Sequence, residues 1–412
     1  MLGSGPDVVI TGVAMTTALA PQAEDTWTAL IDGQSGIRPL SAPNLDGLVL
    51  PSTIGGQLRE SLDDELSRVE MRRLSFTQRM AIVLSRRAWA NAGDPEVDTA
   101  RLGVTVGTGL GSTEDIIIAY HEMQDRGLKA VSPLAVQMYM PNGPAAAVGL
   151  DHKARAGVTA PLTGDVSGAS AIAEAWRNIV FGDADIVICG GVELKLEGVP
   201  IAAYGQIDGV MSTENDDPVG ACRPFDQSRS GMVLGEGGAM LIMETEEHAR
   251  ARGARILARV LGAALSSDGY DAFRSDPEAE QEAHAIARAL ELAGLQPSDV
   301  DHVNAHATGT VDGDLVEAVA MQKVFGGHHP AVYAPKAALG HSFGAAGAIE
   351  AVLTVLALRD GCIPPTLNLR HLDDRMDLDV VAGSARSVDM RYAVSNSFGF
   401  GGHNAAIAFG RA

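Results

Sequence analysis

Several things are scarce in this sequence, and each shortage narrows what the chain can be. Aromatic residues are only 4% of the 412 positions, so the core allowed by 46% hydrophobic content is built chiefly from aliphatic side chains. That content suffices for one large core, or for two fused sub-domains sharing one. There are three cysteines, Cys189, Cys222 and Cys362, far apart and without metal-ligand spacing. Cys189 and Cys362 lie in apolar company and read as buried structural thiols rather than reactive ones. No apolar run reaches membrane-spanning length, and Met1–Pro6 has neither a charged start nor an apolar stretch, so a soluble, cytoplasmic protein is expected.

Positive charge is also short: 31 basic residues face 52 acidic ones, a net charge of −21. This argues against nucleic acid or an anionic membrane as the main partner. An acidic partner would need a local basic patch. The candidate is the stretch holding Arg68, Arg72, Arg73 and Arg79, with Arg86 and Arg87 beyond; the alternative is the solvated face of an amphipathic helix.

Glycine, by contrast, is abundant (47 residues), and its turns are spread as in α/β proteins with many strand–helix junctions. Buried strands are expected at Asp7–Met15, Leu102–Gly107 and Asp185–Glu193, and helices at Ala23–Leu30, Met71–Ala92 and Thr113–Arg126. Gly107-Thr-Gly-Leu-Gly111 lacks the full spacing of a dinucleotide fingerprint and reads as a tight turn against the core. A second half begins near the strand Gly238–Glu244, placing the two halves at residues 1–250 and 251–412. It adds strands at Ile256–Leu265, Ala331–Ala334, Leu378–Ala382, Tyr392–Ser395 and Ala405–Phe409, and helices at Pro277–Ala293 and Gly344–Leu358.

The chain is organised around Pro161-Leu-Thr-Gly-Asp165-Val-Ser-Gly168. Small residues lead into a glycine turn and then a helix pattern over Ala171–Phe181, which sets Asp165 on a sharp elbow before unpaired helix N–H groups. Enzymes place nucleophiles at such elbows. His341-Ser-Phe-Gly344 opens a second helix in the same way, three residues before a glycine, so a duplicated unit would bring the two turns face to face. Asn304-Ala-His306-Ala-Thr308-Gly-Thr310 and Lys336-Ala-Ala-Leu-Gly-His341 complete the candidate chemistry. Neutral imidazole N–H groups aimed at one point would stabilise an enolate or oxyanion. A zinc site is set aside for want of ligand spacing. In Asn396-Ser-Phe398-Gly-Phe400-Gly-Gly-His-Asn404 the glycines let backbone N–H groups approach a ligand, while the two phenylalanines need an apolar slot.

These segments (N-A-H-A-T-G-T, K-A-A-L-G-H-S-F-G-A-A-G-A-I-E and N-S-F-G-F-G-G-H-N) resemble the β-ketoacyl-ACP synthases, the condensing enzymes of type II fatty-acid synthesis. The resemblance runs from about Asp7 to Arg411. Val131-Ser-Pro-Leu-Ala-Val-Gln and Asp377-Leu-Asp-Val-Val-Ala-Gly are similar in detail to the mycobacterial KasA/KasB group, which extends acyl chains toward mycolic acids. The resemblance implies a thiolase-like α/β fold of two similar halves in five layers, working as a dimer with acyl carrier protein; no cofactor and no metal-ligating residues are expected from the sequence. It implies that His306 and His341 are the pair that drives malonyl decarboxylation, and that Lys336 is the active-site lysine ordered by Glu350. Phe400 is then the gating phenylalanine beside Phe398, Thr308 and Thr310 contact substrate, and the arginine stretch docks the carrier protein.

One departure dominates. Where the family has Ala-Cys-x-Ser-Gly, this chain has Gly164-Asp165-Val166-Ser167-Gly168. A carboxylate there is a weak nucleophile and cannot serve as a thiol that accepts and later releases an acyl group. It is also expected to favour the charged forms of both histidines. The expectation is therefore a relative that does not condense and acts as a partner or regulatory subunit, in a homodimer or in a heterodimer with an active ketosynthase. A malonyl-ACP decarboxylase and an active 3-oxoacyl-ACP synthase by another route are the alternatives. Arg229-Ser-Gly-Met232 departs from the family's usual Arg-Asp-Gly-Phe as well.

Overall fold

The computed structural model describes residues 5–41, 45–193 and 195–412. Residues 1–4 of the N-terminal stretch lie outside the described residues. Among those described, eleven strands form one mixed sheet: β1 (Val8–Thr17), β2 (Leu102–Gly107), β3 (Gly157–Thr159), β4 (Ile186–Val192), β5 (Gly237–Thr245), β6 (Ala258–Ser267), β7 (His302–Asn304), β8 (Ala331–Tyr333), β9 (Asp379–Val380), β10 (Tyr392–Gly399) and β11 (His403–Arg411). Their order is β9-β8-β7-β10-β11-β6-β1-β5-β4-β2-β3.

This order contains one pattern twice. From β1 outward the pairings are antiparallel to β5, antiparallel to β4, then parallel to β2 and β3. From β6 outward they are antiparallel to β11, antiparallel to β10, then parallel to β7 and β8. The two sets meet where Val8–Ile10 of β1 pair with Ala258–Val260 of β6. The strand at Gly237–Thr245 therefore belongs to the first set, between β1 and β4, and does not open the second half. Its apolar run matched either assignment; only its partners decide.

Both faces of each strand set are covered, which explains the continuous apolar runs. Val187 and Cys189 of β4 face one cluster together with Ile172, Leu353 and Ile407, while Ile186 and Ile188 face another with Met80 and Leu84. The first cluster holds two central helices, Ser167–Val180 and Ala346–Asp360. The second packs Phe76–Asn91 outside the first set, and a third packs Glu280–Ala293 and Val311–Phe325 outside the second set. The layers are thus helix, sheet, helix, sheet, helix.

The central helices touch through glycine. A Cβ on Gly168 would lie 2.8 Å from the Ala348 nitrogen, and one on Gly347 would lie 2.8 Å from the Ala169 nitrogen. A one-turn 3₁₀ segment precedes each helix, Gly164–Val166 in one and Phe343–Ala345 in the other. The two turns do meet, but the repeat's register differs from the expected one. Gly168 corresponds to Gly347 and Asp165 to Gly344, so His341 stands outside its turn whereas Asp165 stands inside.

The expected long helix Met71–Ala92 is two helices, Arg68–Arg73 and Phe76–Asn91. Ser75 caps the second: its hydroxyl accepts from the Gln78 N–H, and the Gln78 side chain accepts from the Ser75 N–H. No helix among the described residues is long and apolar enough to cross a membrane.

Candidate active site

The ends of both central helices and the turns after β7 and β10 converge on one cavity of about 60 Å³. Asp165, His306, His341, Thr308, Thr310, Phe398 and Phe400 all line it. Lys336 and Glu350 lie directly behind His306. The expected catalytic and substrate residues are therefore in one place, and the basic stretch is elsewhere.

Asp165 is buried on its elbow, with Gly164 at φ +58°, a conformation that suits glycine. Ser167 ties the elbow together: its hydroxyl donates to the Gly164 carbonyl at 2.6 Å and accepts from the Thr163 N–H at 2.9 Å. It is a structural residue and supplies no alternative nucleophile. Gly399 makes room for the carboxylate, since a Cβ there would lie 3.2 Å from the Asp165 Cβ. Burial pushes the Asp165 carboxyl up, but His341, Lys336 and the backbone N–H of Phe400 outweigh it and hold the group below the usual carboxylate range. Asp165 is an anion.

The imidazole of His341 lies with Nε2 3.6 Å from Asp165 Oδ1, and its ring sits 5.4 Å from that of His306 at 84°. Burial holds His341 below its usual pKa despite the neighbouring carboxylate, and burial with Lys336 holds His306 well below. Asp165 favours the charged form of His341, as expected, but burial outweighs it and keeps the imidazole toward its neutral form; at His306 burial and Lys336 do the same and Asp165 is not among the causes. The Lys336 ammonium donates to His306 Nδ1 at 3.3 Å, to its carbonyl oxygen at 2.5 Å and to Glu350 Oε1 at 2.5 Å. A donor at Nδ1 fixes the His306 proton on Nε2. Glu350 is pushed up to about 7 by burial, which Lys336 opposes.

Phe400 stacks with Tyr204 at 6.0 Å and meets Phe273 edge-on at 5.8 Å, while Phe398 packs against His306. Thr308 and Thr310 join their hydroxyls at 3.0 Å on the cavity wall. Arg229 is buried beside them, bonded to Asp373 at 2.8 Å and to the Thr310 and Val311 carbonyls, and Met232 lines the cavity. No group of three His, Cys, Asp or Glu residues among those described fits a metal ion. Burial pushes the Cys222 thiol up to about 12 and Cys189 higher still, so neither replaces a reactive thiol.

Three carboxylates at the site escaped sequence reasoning. Glu193, just past β4, accepts from the N–H groups of Gly109, Leu110 and Gly344, so it fixes the glycine-rich turn and the second elbow together. Glu317 accepts from the N–H groups of His306 and Ala307 and from the Asn396 side chain. Glu282 lines the cavity. The available signal was an acidic residue inside an apolar helix stripe, as in Leu315-Val-Glu317-Ala-Val-Ala.

Of the basic stretch, Arg68, Arg72 and Arg73 are exposed on their short helix. Arg79 is not available in the same way, because its guanidinium pairs with Asp63 at 2.8 Å. Arg86 is held by Glu70 and Asp151.

Comparisons with known proteins identify the family and the fold. Residues 6–249 match the beta-ketoacyl synthase N-terminal domain and residues 257–370 the C-terminal domain. The chain is 62% identical over 406 residues to 3-oxoacyl-(acyl-carrier-protein) synthase 2 of Mycobacterium tuberculosis (strain H37Rv), covering 98% of this chain and 97% of that one. Among solved structures, the ishigamide ketosynthase/chain length factor superposes with a TM-score of 0.91 at 29% identity, over 99% of this chain and 100% of that one. The ketosynthase of a type II polyketide system, solved with its acyl-carrier protein, superposes with a TM-score of 0.90 at 25% identity, over 99% and 100%. With a thiolase-like fold repeated in two strand sets and a matching family model over both, the chain belongs to the β-ketoacyl-ACP synthases.

Proposed function

We propose that the protein receives acyl or malonyl groups on an acyl carrier protein, as its relatives do, but does not join them, and serves as a partner or regulatory subunit in fatty-acid or mycolate elongation. The observation that carries this is the ionised carboxylate of Asp165, buried on the elbow 3.6 Å from His341. Condensation needs a group that accepts an acyl and is later expelled from the acyl carbon when a carbanion attacks it; a carboxylate forms only an anhydride there, which water cleaves. His306, His341, Lys336 and Glu350 keep the roles the family gives them, with Thr308, Thr310, Phe398 and Phe400 on the substrate.

The carrier protein docks on Arg68, Arg72 and Arg73, cationic side chains exposed on a strongly acidic chain. The chain divides at residue 250 into two halves of one fold. Its dimer, with itself or with an active ketosynthase, forms along β3. This is the sheet's exposed edge, flanked by Leu150, Val158 and Leu162, which are 82%, 42% and 52% exposed.

Malonyl decarboxylation is the second reading. It is favoured by two neutral imidazoles, one with its Nε2 proton fixed by Lys336, which can stabilise an enolate without any thiol. Against it stands the Asp165 charge, which repels a malonyl carboxylate. The test supplies acyl- and malonyl-carrier protein and follows carbon dioxide and β-ketoacyl product together. Neither is expected. Carbon dioxide alone would establish the decarboxylase, and product would overturn the non-condensing reading.

A further inference from the structure

Glu282 has no role in the site described so far. It stands in the first turn of the helix Glu280–Ala293, is 1% exposed, and lines the same cavity as Asp165, His306, Thr308 and Thr310. Its Oε2 has no hydrogen-bond partner.

The groups around it decide which form of the carboxyl is present. Ser275, on the preceding loop, bonds to the carboxyl. Asp268, at the end of β6, accepts from the Asn404 side chain at 2.6 Å and from the Asp276 N–H. Glu317, on the helix Val311–Phe325, accepts from three donors, the His306 and Ala307 N–H groups and Asn396. Asp314 on that helix accepts from the Phe225 and Gly309 N–H groups, and Asp165 and His341 stand across the cavity. Asp268 thus has two donors and Glu317 three, whereas the Glu282 Oε2 has none. Burial together with the charges of Glu317, Asp268 and Asp276 leaves the proton on Glu282. Protonated, Glu282 presents an O–H donor through the unpartnered Oε2, in a cavity it shares with the Asp165 carboxylate.

We propose that Glu282 is a substrate-binding residue, whose carboxyl O–H donates a hydrogen bond to a neutral carbonyl oxygen of the bound thioester. An anionic acceptor would meet the Asp165 carboxylate in the same cavity, so the partner is a thioester or amide carbonyl and not a carboxylate. A cavity of about 60 Å³ has room for such a head group rather than for a chain. The proposal rests on the cavity being the thioester site argued above.

The probe is the uncharged octanoyl thioester of N-acetylcysteamine, carrying ¹³C in the thioester carbonyl or, separately, in the amide carbonyl. Its affinity is measured by calorimetry and its bound carbonyl stretch by difference infrared spectroscopy. Glu282→Ala is expected to weaken binding about tenfold and Glu282→Gln, which keeps a neutral donor, less than threefold. One labelled carbonyl is expected to absorb at lower frequency when bound to the parent or Glu282→Gln than to Glu282→Ala, a change that a packing role alone would not produce. Equal affinity and equal carbonyl frequency across the three proteins would overturn this proposal and leave the thioester site standing. So would loss in Glu282→Gln equal to that in Glu282→Ala. Absence of binding by the parent itself would overturn the thioester site as well.

Discussion

Replacing Asp165 by Asn tests whether charge, rather than shape, blocks malonyl chemistry. Asn is isosteric, so the carboxylate's place against Gly399 remains filled, and the Phe400 N–H can still donate to the side-chain oxygen. Only the negative charge is removed. A malonyl carboxylate bound beside His306 and His341 would stand roughly 5 Å from that charge. At an effective dielectric of about 20, the repulsion is then about 3 kcal/mol. That corresponds to about a hundredfold in rate. Both imidazoles are neutral in the parent and stay so, because burial is the main cause in each. Carbon dioxide release from malonyl-carrier protein should therefore appear in Asp165→Asn at about 10- to 100-fold above the background seen with the parent. The site is buried, so the ratio should be nearly the same at 0.05 and 0.5 M salt. An unchanged or lower rate would refute the reasoning, since the charge would then not be the obstacle.

Three further outcomes are expected. Burial raises Glu350 and Asp314 to about 7, so between roughly pH 4 and pH 7 these two groups bind more protons in the folded chain than in the unfolded one, and their contribution to stability falls as pH rises. Glu350→Gln should flatten that fall by about 1–3 kcal/mol, read from urea midpoints at pH 5 and pH 8; an unaltered slope would count against it. Gly168→Ala sets a methyl against the Ala348 nitrogen and the Gly344 carbonyl at 2.8 and 2.9 Å, so thermal unfolding should show a loss of about 1–3 kcal/mol. Arg72→Glu with Arg73→Glu should weaken carrier-protein binding about tenfold at low salt without lowering stability, whereas Arg79→Glu should chiefly destabilise by breaking its pair with Asp63.

What the sequence revealed was what short segments carry. The elbow at Asp165 and the histidines between small residues each occupy a few consecutive positions, strands such as Leu102–Gly107 are bounded by glycine, and the pairing of Lys336 with Glu350 came from the family resemblance. The Ser75-Phe-Thr-Gln78 capping box that splits the basic helix was equally local, though the amphipathic pattern running through it masked it. The rest depends on distant pairing. Gly237–Thr245 joins the first strand set only because β1 and β4 lie on either side of it. Glu193 joins turns at Gly109 and Gly344, and Glu317 reaches back to the His306 amide; a lone glutamate in the sequence does not announce either partner. The neutrality of the histidines was illegible for a different reason, since it is set by depth of burial.

The most direct test of the central claim, a complete ketosynthase site held inactive at one residue, is condensation by Asp165→Cys. The variant and the parent are given acyl- and malonyl-carrier protein, and the β-ketoacyl product is quantified by mass spectrometry. The account predicts product from Asp165→Cys and none from the parent. Product from the parent, or none from the variant although it folds and binds acyl-carrier protein, would contradict it.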